Sequence, residues 1–215
     1  MSEDGGRAKR LIGRIYSAAA DTLYEPLVVN GAFRVFGGNL NALVVEQGRR
    51  AVAQAHGGAI LDLPVGTGYF AIEMARRHNG IVVGVDIAEG MTRKALSVAR
   101  SARVDNLVAM QADAHRLPFP DGAFAAVVCS NGLQVMPGLV PSVRELVRVL
   151  AHGGRLYVSV LVAPIGAGLP RGTREHLPTF MRPGRDVADA IRATGVCDVT
   201  TRRERLAYLI EATKS

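Results

Sequence analysis

From residue 59 onward, short apolar segments alternate with segments of helical periodicity. The apolar segments are bounded by Gly, Asn or Pro and read AILDL, IVVGVD, NLVAMQAD, FAAVVCSN and RLYVSVLV. Such runs predict buried β-strands. Because strands that alternate with helices form parallel sheets, the order predicts an α/β fold with a doubly wound sheet. A sheet of this kind binds ligands beyond the carboxyl ends of its strands.

The last two apolar segments, VCDVTTRRE and RLAYLIEATK, are separated by a short charged turn. A short turn implies antiparallel neighbours, since parallel pairs need a long crossover. We therefore predict a mostly parallel seven-stranded sheet that ends in an antiparallel C-terminal hairpin. Residues 1–58 are predicted to form an N-terminal helical cap segment, and residues 59–215 the α/β domain of a single compact unit.

Composition narrows the class of protein. The chain has 215 residues, 48% of them apolar and 21% charged, which suits a globular domain. No apolar run reaches membrane-spanning length, and MSEDGGRAKR lacks the apolar core of a secretory signal. Cys129 and Cys197 have no metal-ligand spacing and are expected to be reduced thiols. We expect a cytoplasmic protein with no transmembrane segment and no metal.

The net charge is +7, but the arginines are scattered and many alternate with acids. A single-strand binding platform would interleave basic residues with aromatic ones, and a nucleic-acid-binding domain would show a dense basic stripe. Neither feature occurs, so no nucleic-acid partner is expected.

The stretch LDLPVGTGYF places a glycine loop directly after the first predicted strand. Gly66 and Gly68 permit backbone conformations and close approaches that a Cβ would prevent. The string GTGYFA satisfies the G-x-G-x-x-A pattern, and Asp86 lies 20 residues after Gly66, where an acid binds a ribose hydroxyl in dinucleotide sites. A nicotinamide dinucleotide is therefore allowed.

Two residues argue against a dinucleotide. Asp62 lies four residues before Gly66, and its carboxylate would repel a pyrophosphate. Pro64 removes one backbone N–H from the loop, which weakens it as a phosphate cradle. A carboxylate suits a ligand that carries a cationic amine or sulfonium instead.

Four motifs in order, LDLPVGTG, VVGVDIAEGM, MQADAHRLPFPDGAFAAVVCSNGLQVM and ELVRVLAHGGRLYVSV, carry a family resemblance. Over roughly residues 11–162 the chain resembles the class I S-adenosylmethionine-dependent methyltransferases, in particular the group of quinone-biosynthesis and other small-molecule methyltransferases. That family has a Rossmann-like fold with a reversed last strand. Pro64 stands where the family's loop has the first of three glycines.

The resemblance implies specific roles. Asp62, with the backbone of Gly66 and Gly68, would hold the methionine part of S-adenosyl-L-methionine, and Asp86 would accept both ribose hydroxyls. Read without the resemblance, Asp86 could instead start a helix, which is the less favoured of the two readings. The remaining implied roles are Ile87 and Met91 against the adenine, Asp113 and Ala114 at its amino group, Ser130 and Asn131 along the transfer site, and Tyr16 or Tyr24 as a lid. Of these, Met91 could instead be core, Asp113 a loop cap, Asn131 the end of a turn and either tyrosine a packing residue.

The implied reaction is direct displacement at the methyl carbon by a small-molecule or lipid-like acceptor, at oxygen or carbon. The cofactor carries the difficult chemistry, so the protein supplies mainly alignment. His115 and His176 are candidate general bases, although either could be a surface histidine. A homodimer could complete the substrate pocket. A nicotinamide-dinucleotide oxidoreductase and a non-catalytic S-adenosylmethionine-binding protein stay open as alternatives.

Overall fold

The computed structural model describes residues 40–134, 136, 138–161, 184–205 and 207–215. Its helices are α1 (Leu40–Ala55), α2 (Tyr69–Ala75), α3 (Glu89–Ser101), α4 (Leu139–Val149) and α5 (Gly184–Arg192). Its strands are β1 (Ile60–Asp62), β2 (Val82–Asp86), β3 (Leu107–Gln111), β4 (Phe124–Ser130), β5 (Leu150–Leu161), β6 (Cys197–Glu204) and β7 (Ala207–Thr213).

Within these residues, seven strands form one sheet in the order β3-β2-β1-β4-β5-β7-β6. The strands β1 to β5 pair in parallel, while β7 is antiparallel to both β5 and β6. The predicted doubly wound sheet with an antiparallel C-terminal hairpin is confirmed. The division of the chain at residue 58 stays a prediction.

Helices cover both faces of the sheet. Side chains alternate between these faces along each strand, so neighbouring residues of one strand pack against different helices. Ile60 of β1 packs with α1, α2 and α3, whereas Leu61 packs with α4 and α5. The first face is rich in alanine, for example Ala51, Ala71 and Ala95, which lets the helices approach the strands closely. No helix in the described part of the chain is long and apolar enough to cross a bilayer.

The fifth strand begins earlier than predicted. The sequence suggested a helix over residues 140–151, closed by Gly153 and Gly154, but α4 ends at Val149 and β5 begins at Leu150. Leu150 pairs with Phe124, and the pairing then shifts before it resumes further along β5. Gly153 has a φ of +72°, so the chain turns within the strand rather than before it.

The glycine loop packs closely on β2, and this contact fixes the distance between the loop and the sheet. A Cβ on Gly84 would lie 2.5 Å from Cγ2 of Val65, so only glycine fits at that position of β2. The amide of Val65 donates to the carbonyl of Val85 at 2.8 Å. The loop is therefore seated directly on the strand that ends in Asp86.

We predict that Gly84→Ala destabilises the protein by about 1–3 kcal/mol, the usual cost of overpacking. Urea denaturation followed by circular dichroism measures this change. Val65→Ala removes the methyl groups that the new Cβ would meet, so it should cost less in the Gly84→Ala background than in the wild-type protein. Additive effects of the two substitutions would contradict the assigned contact.

Candidate active site

The strand order places a crevice beyond the carboxyl ends of β1 and β4. From β1 the chain continues outward to β2 and β3 on one side, and it then returns to β4 on the other side. Connections that leave in opposite directions open a cleft at this point, where doubly wound proteins bind ligands. Asp62 ends β1, and Ser130 ends the neighbouring β4.

The loop between β1 and α2 has few free donors. The amide of Val65 is bonded to β2, the amide of Gly68 donates to the Val65 carbonyl at 2.9 Å, and the amide of Gly66 donates to Asp86 Oδ2 at 3.0 Å. Pro64 has no N–H. In the described part of the chain, three loop amides are thus already satisfied, which leaves little for a phosphate group.

Gly68 is required by both its conformation and its neighbours. Its φ is +88°, and a Cβ there would lie 3.0 Å from Cα and Cβ of Ala95 in α3. Gly66 also has a positive φ, of +52°. These two glycines allow the tight turn from β1 into α2, and they keep the loop close to α3.

Asp86 organises this loop from the end of β2. One carboxylate oxygen, Oδ2, accepts the Gly66 amide, and the other, Oδ1, accepts the Ala88 amide at 2.9 Å. Burial raises the pKa of Asp86, while hydrogen bonds from Ala88, Gly66 and Ile87 oppose that rise. Each oxygen keeps a lone pair, so the carboxylate can still accept hydrogen bonds from a ligand.

Asp62 is the most unusual group in the crevice. The residue is 1% exposed, and its Oδ1 is buried without a hydrogen-bond partner. Burial, and secondarily the negative charge of Asp86, raises the pKa of Asp62 to about 8. A cationic ligand group would supply both the missing partner and the missing charge.

The segments implied to surround an adenine are brought to the same end of the sheet. The amide of Ala112 donates to the backbone carbonyl of Asp86 at 3.0 Å, so Asp113 and Ala114 follow directly beside the end of β2. Ile87 is half-buried, and the side chain of Gln111 donates to its carbonyl at 2.8 Å. Sequence reasoning missed Gln111, because no motif marks it.

Met91 and His115 occupy different environments. Met91 is completely buried in α3. His115 lies in the loop after β3, where its amide donates to Asp113 Oδ1 at 3.0 Å and its Nε2 lies 3.2 Å from the carbonyl of Gly138. The ring therefore sits between this loop and the start of α4.

The structure explains how a proline is accommodated at position 64, where the loop of the family that the chain resembles has a glycine. A Cβ on Gly132, in the loop after β4, would lie 2.2 Å from Cδ of Pro64. The proline ring thus packs on bare backbone and joins the loops after β1 and β4. Beside this contact, Ser130 Oγ and Asn131 Oδ1 are buried without hydrogen-bond partners. Asn131 has a φ of +54°, a conformation that asparagine tolerates better than most residues.

The predicted site residues thus divide into two groups. The structure gathers most of them around the ends of β1, β2 and β4, as the carboxyl-end rule anticipates. Tyr16, Tyr24 and His176 lie outside the described residues. Within those residues, no group of three His, Cys, Asp or Glu side chains is arranged to hold a metal ion.

The raised pKa of Asp62 makes the stability of the unliganded protein depend on pH. The folded state holds the proton more tightly than the unfolded state, so this contribution is full below the ordinary pKa and is lost as pH rises through about 8. We predict that the stability of Asp62→Asn relative to wild type increases over that range, by up to about 1.4 kcal/mol per pH unit.

Urea denaturation at several pH values, with both proteins in the same buffers, measures this difference. Asp105→Asn serves as the matched control, because Asp105 is exposed. A difference between Asp62→Asn and wild type that does not change with pH would contradict the proposed ionisation.

Comparison with known proteins agrees with this geometry. A family model described as a methyltransferase domain matches residues 60–154. The 27-O-demethylrifamycin SV methyltransferase of Amycolatopsis mediterranei is 38% identical over 115 residues, 53% of this chain and 42% of that protein. The demethylmenaquinone methyltransferase of Thermus thermophilus is 45% identical over 103 residues, 46% of this chain and 45% of that protein. The chain therefore spans less than half the length of either relative.

A solved structure shares the fold. The crystal structure of the [4+2]-cyclase SpnF superposes with a TM-score of 0.69 at 20% identity, covering 80% of each chain. A likeness at that identity concerns the fold alone, which hosts more than one chemistry. The family match is more specific: residues 60–154 of this chain match the model of a methyltransferase domain, and the order of the motifs is similar to that of the class I S-adenosylmethionine-dependent methyltransferases.

Proposed function

We propose that this protein transfers a methyl group from S-adenosyl-L-methionine to a small, largely apolar acceptor. The observation that carries the proposal is the pair of buried carboxylates, Asp62 and Asp86, at the ends of adjacent strands. Asp62 has an oxygen with no partner, although burial of such a group is costly. A ligand that brings a positive charge and hydrogen-bond donors relieves that cost.

S-Adenosylmethionine fits these residues chemically. Its ammonium group would meet Asp62, its ribose hydroxyls would meet Asp86, and its adenine would lie near Ile87, Asp113 and Ala114. The bound cofactor would supply an activated methyl group on a sulfonium. The protein's part is to hold this cofactor, to exclude water and to align the acceptor beside Ser130 or Asn131.

A nicotinamide dinucleotide fits less well. Its pyrophosphate would need several free amides at the glycine loop, and the amides of Val65, Gly66 and Gly68 are bonded within the protein. The same phosphates would approach Asp62 and keep its carboxyl protonated, whereas a cationic group favours the ionised carboxylate. The lack of free loop amides therefore disfavours the oxidoreductase alternative.

The relatives suggest the class of acceptor. The name of one relative specifies 27-O-demethylrifamycin SV, and the name of another specifies demethylmenaquinone. By analogy, the acceptor here is a small organic molecule of quinone or related type, methylated at oxygen or carbon. His115 is the proposed general base, should the acceptor need one. A cytoplasmic location, a homodimer and the absence of a nucleic-acid partner stay predictions.

A transfer assay tests the function. We expect label from S-adenosylmethionine carrying a tritiated methyl group to appear in an organic extract when the purified protein is supplied with reduced demethylmenaquinone or a cell extract. Asp86→Ala should lower cofactor affinity by about tenfold or more, the scale of a charge-assisted hydrogen bond. Asp105→Ala, at an exposed site, is the matched control.

Calorimetry separates this function from its alternatives. S-Adenosylhomocysteine should bind, and the two nicotinamide dinucleotides should not. Binding of a dinucleotide without binding of S-adenosylhomocysteine would rule out the methyltransferase assignment. Binding of S-adenosylhomocysteine without transfer to any component of the extract would favour the non-catalytic alternative.

Cofactor binding should also release a proton. At neutral pH Asp62 is largely protonated, because its pKa is raised to about 8, and a cationic ammonium group favours the ionised carboxylate. Affinity for S-adenosylhomocysteine should therefore rise with pH up to about 8. Calorimetry in buffers of different ionisation enthalpy counts the released protons.

Asp62→Asn should remove this proton release while Asp86 remains in place. If wild type and Asp62→Asn release the same number of protons, Asp62 does not meet the cationic group.

A further inference from the structure

An unusual polar residue lies in the buried stripe of α1. The stripe includes Leu40, Val44, Gln47 and Ala51, spaced so that they share one face of the helix. Gln47 is 3% exposed, its Nε2 makes only a long contact of 3.4 Å with the carbonyl of Val158, and its Oε1 has no partner. An apolar side chain would pack here at less cost.

Two serines form the opposite wall of this polar spot. Ser130 of β4 is paired in register with Ser159 of β5. Since side chains alternate along a strand, both serines lie on the face of Val128 and Tyr157, which pack in the same cluster as α1. Ser159 is 0% exposed and Ser130 is 8% exposed, and neither hydroxyl has a hydrogen-bond partner.

Among the residues that the structure describes, no hydrogen bond to the side-chain oxygens of Gln47, Ser130 and Ser159 stabilises the fold. Buried polar atoms in native proteins are nearly always hydrogen-bonded, so unpaired ones need a reason. Here three unpaired oxygens lie between α1 and the sheet, and Ser130 also borders the crevice that holds Asp62. The cluster therefore extends from the candidate cofactor site to the face of α1 that packs on the sheet.

Beyond the polar cluster the surroundings are apolar. Leu161 lies two residues after Ser159 on the same face of β5, and it packs with Leu40, Val44 and Phe70. Leu161 and Phe70 are partly exposed, so this apolar wall reaches the surface. The region is thus apolar where it reaches the surface, at Leu161 and Phe70, and polar but uncharged where it is buried, at Gln47, Ser130 and Ser159. We call these two parts the apolar rim and the polar floor.

We propose that Gln47, Ser159 and Ser130 form the floor of the acceptor site and receive a hydroxyl group of the acceptor. The proposal rests on the proposed function, and it adds the chemical feature by which the acceptor is recognised. A hydroxyl can donate to Gln47 Oε1 and accept from a serine, which matches this neutral set. The apolar remainder of the acceptor lies against the rim.

The three oxygens are closed to solvent, so an acceptor group has to be small and has to displace neighbouring side chains to meet them. A hydroxyl meets this limit, whereas a carboxylate would bring a charge that none of the three side chains can neutralise. Gln47, which lies outside the four motifs, and Ser159, which lies within the last of them, are then specificity-determining residues to which the sequence alone assigned no role.

Binding of matched compounds tests the proposal without knowledge of the natural acceptor. The probes are 1-naphthol with 1-methoxynaphthalene, and 1,4-naphthalenediol with 1,4-dimethoxynaphthalene, titrated anaerobically into the protein saturated with S-adenosylhomocysteine. Ligand-observed NMR measures each affinity. We expect the hydroxyl compound of each pair to bind about tenfold more tightly than its ether, the effect of one or two hydrogen bonds.

Ser159→Ala and Gln47→Leu should each abolish most of this preference and leave the affinity for S-adenosylhomocysteine unchanged. Their urea midpoints should equal or exceed that of wild type, because neither change breaks a short hydrogen bond. Ser142→Ala is the matched control, since Ser142 is equally buried but donates to the Gly138 carbonyl at 3.1 Å on the opposite face of the sheet. It should keep the preference for the hydroxyl compounds.

Each other outcome has a distinct meaning. If S-adenosylhomocysteine does not bind wild type, the proposed function fails. If it binds but neither pair of probes shows a preference for the hydroxyl compound, the inference fails alone. Lower urea midpoints in Ser159→Ala and Gln47→Leu, with the preference retained, would assign the cluster to an internal water and overturn the inference.

Discussion

The hydrogen bond from the Gly66 amide to Asp86 is the contact on which the crevice depends. It joins the loop after β1 to the end of β2 across 3.0 Å, and it uses a donor that a phosphate-binding loop would keep free. With that amide committed, the loop presents carboxylate rather than free N–H groups to the crevice. The preference for a cationic ligand that we propose follows from this commitment more than from the overall charge of the chain.

Two steric contacts hold this arrangement in place. Because Gly84 of β2 has no side chain, Val65 can pack on its backbone. Gly132 in the same way allows Pro64 of the neighbouring loop to pack on its backbone. In each pair a bulky loop residue rests on a glycine of an adjacent element. The loop is therefore fixed by packing on both sides, which allows it to keep Asp62 buried although that carboxyl lacks a partner.

The sequence predicted the fold well because its information is local. Apolar runs bounded by glycine and proline give the strands, and the short turn before β7 gives the antiparallel hairpin. The start of β5 was predicted wrongly because it depends on contacts between residues that are distant in the chain. Leu150 pairs with Phe124 of β4 before the register shifts, and Gly153 and Gly154 are hydrogen-bonded to Lys214 after β7. No local pattern distinguishes such residues from the end of a helix.

For the site, the motifs alone placed Asp62, Gly66 and Asp86 at strand ends, since spacing along a βαβ unit determines that position. The tertiary structure decided how these groups interact: which amides are consumed, which carboxyl lacks a partner, and that Gln47 of α1 lies against β5 beside Ser159. The physical reason is that strand periodicity is encoded residue by residue, whereas burial and hydrogen-bond satisfaction depend on neighbours more than a hundred residues away in the chain, such as Val158 beside Gln47.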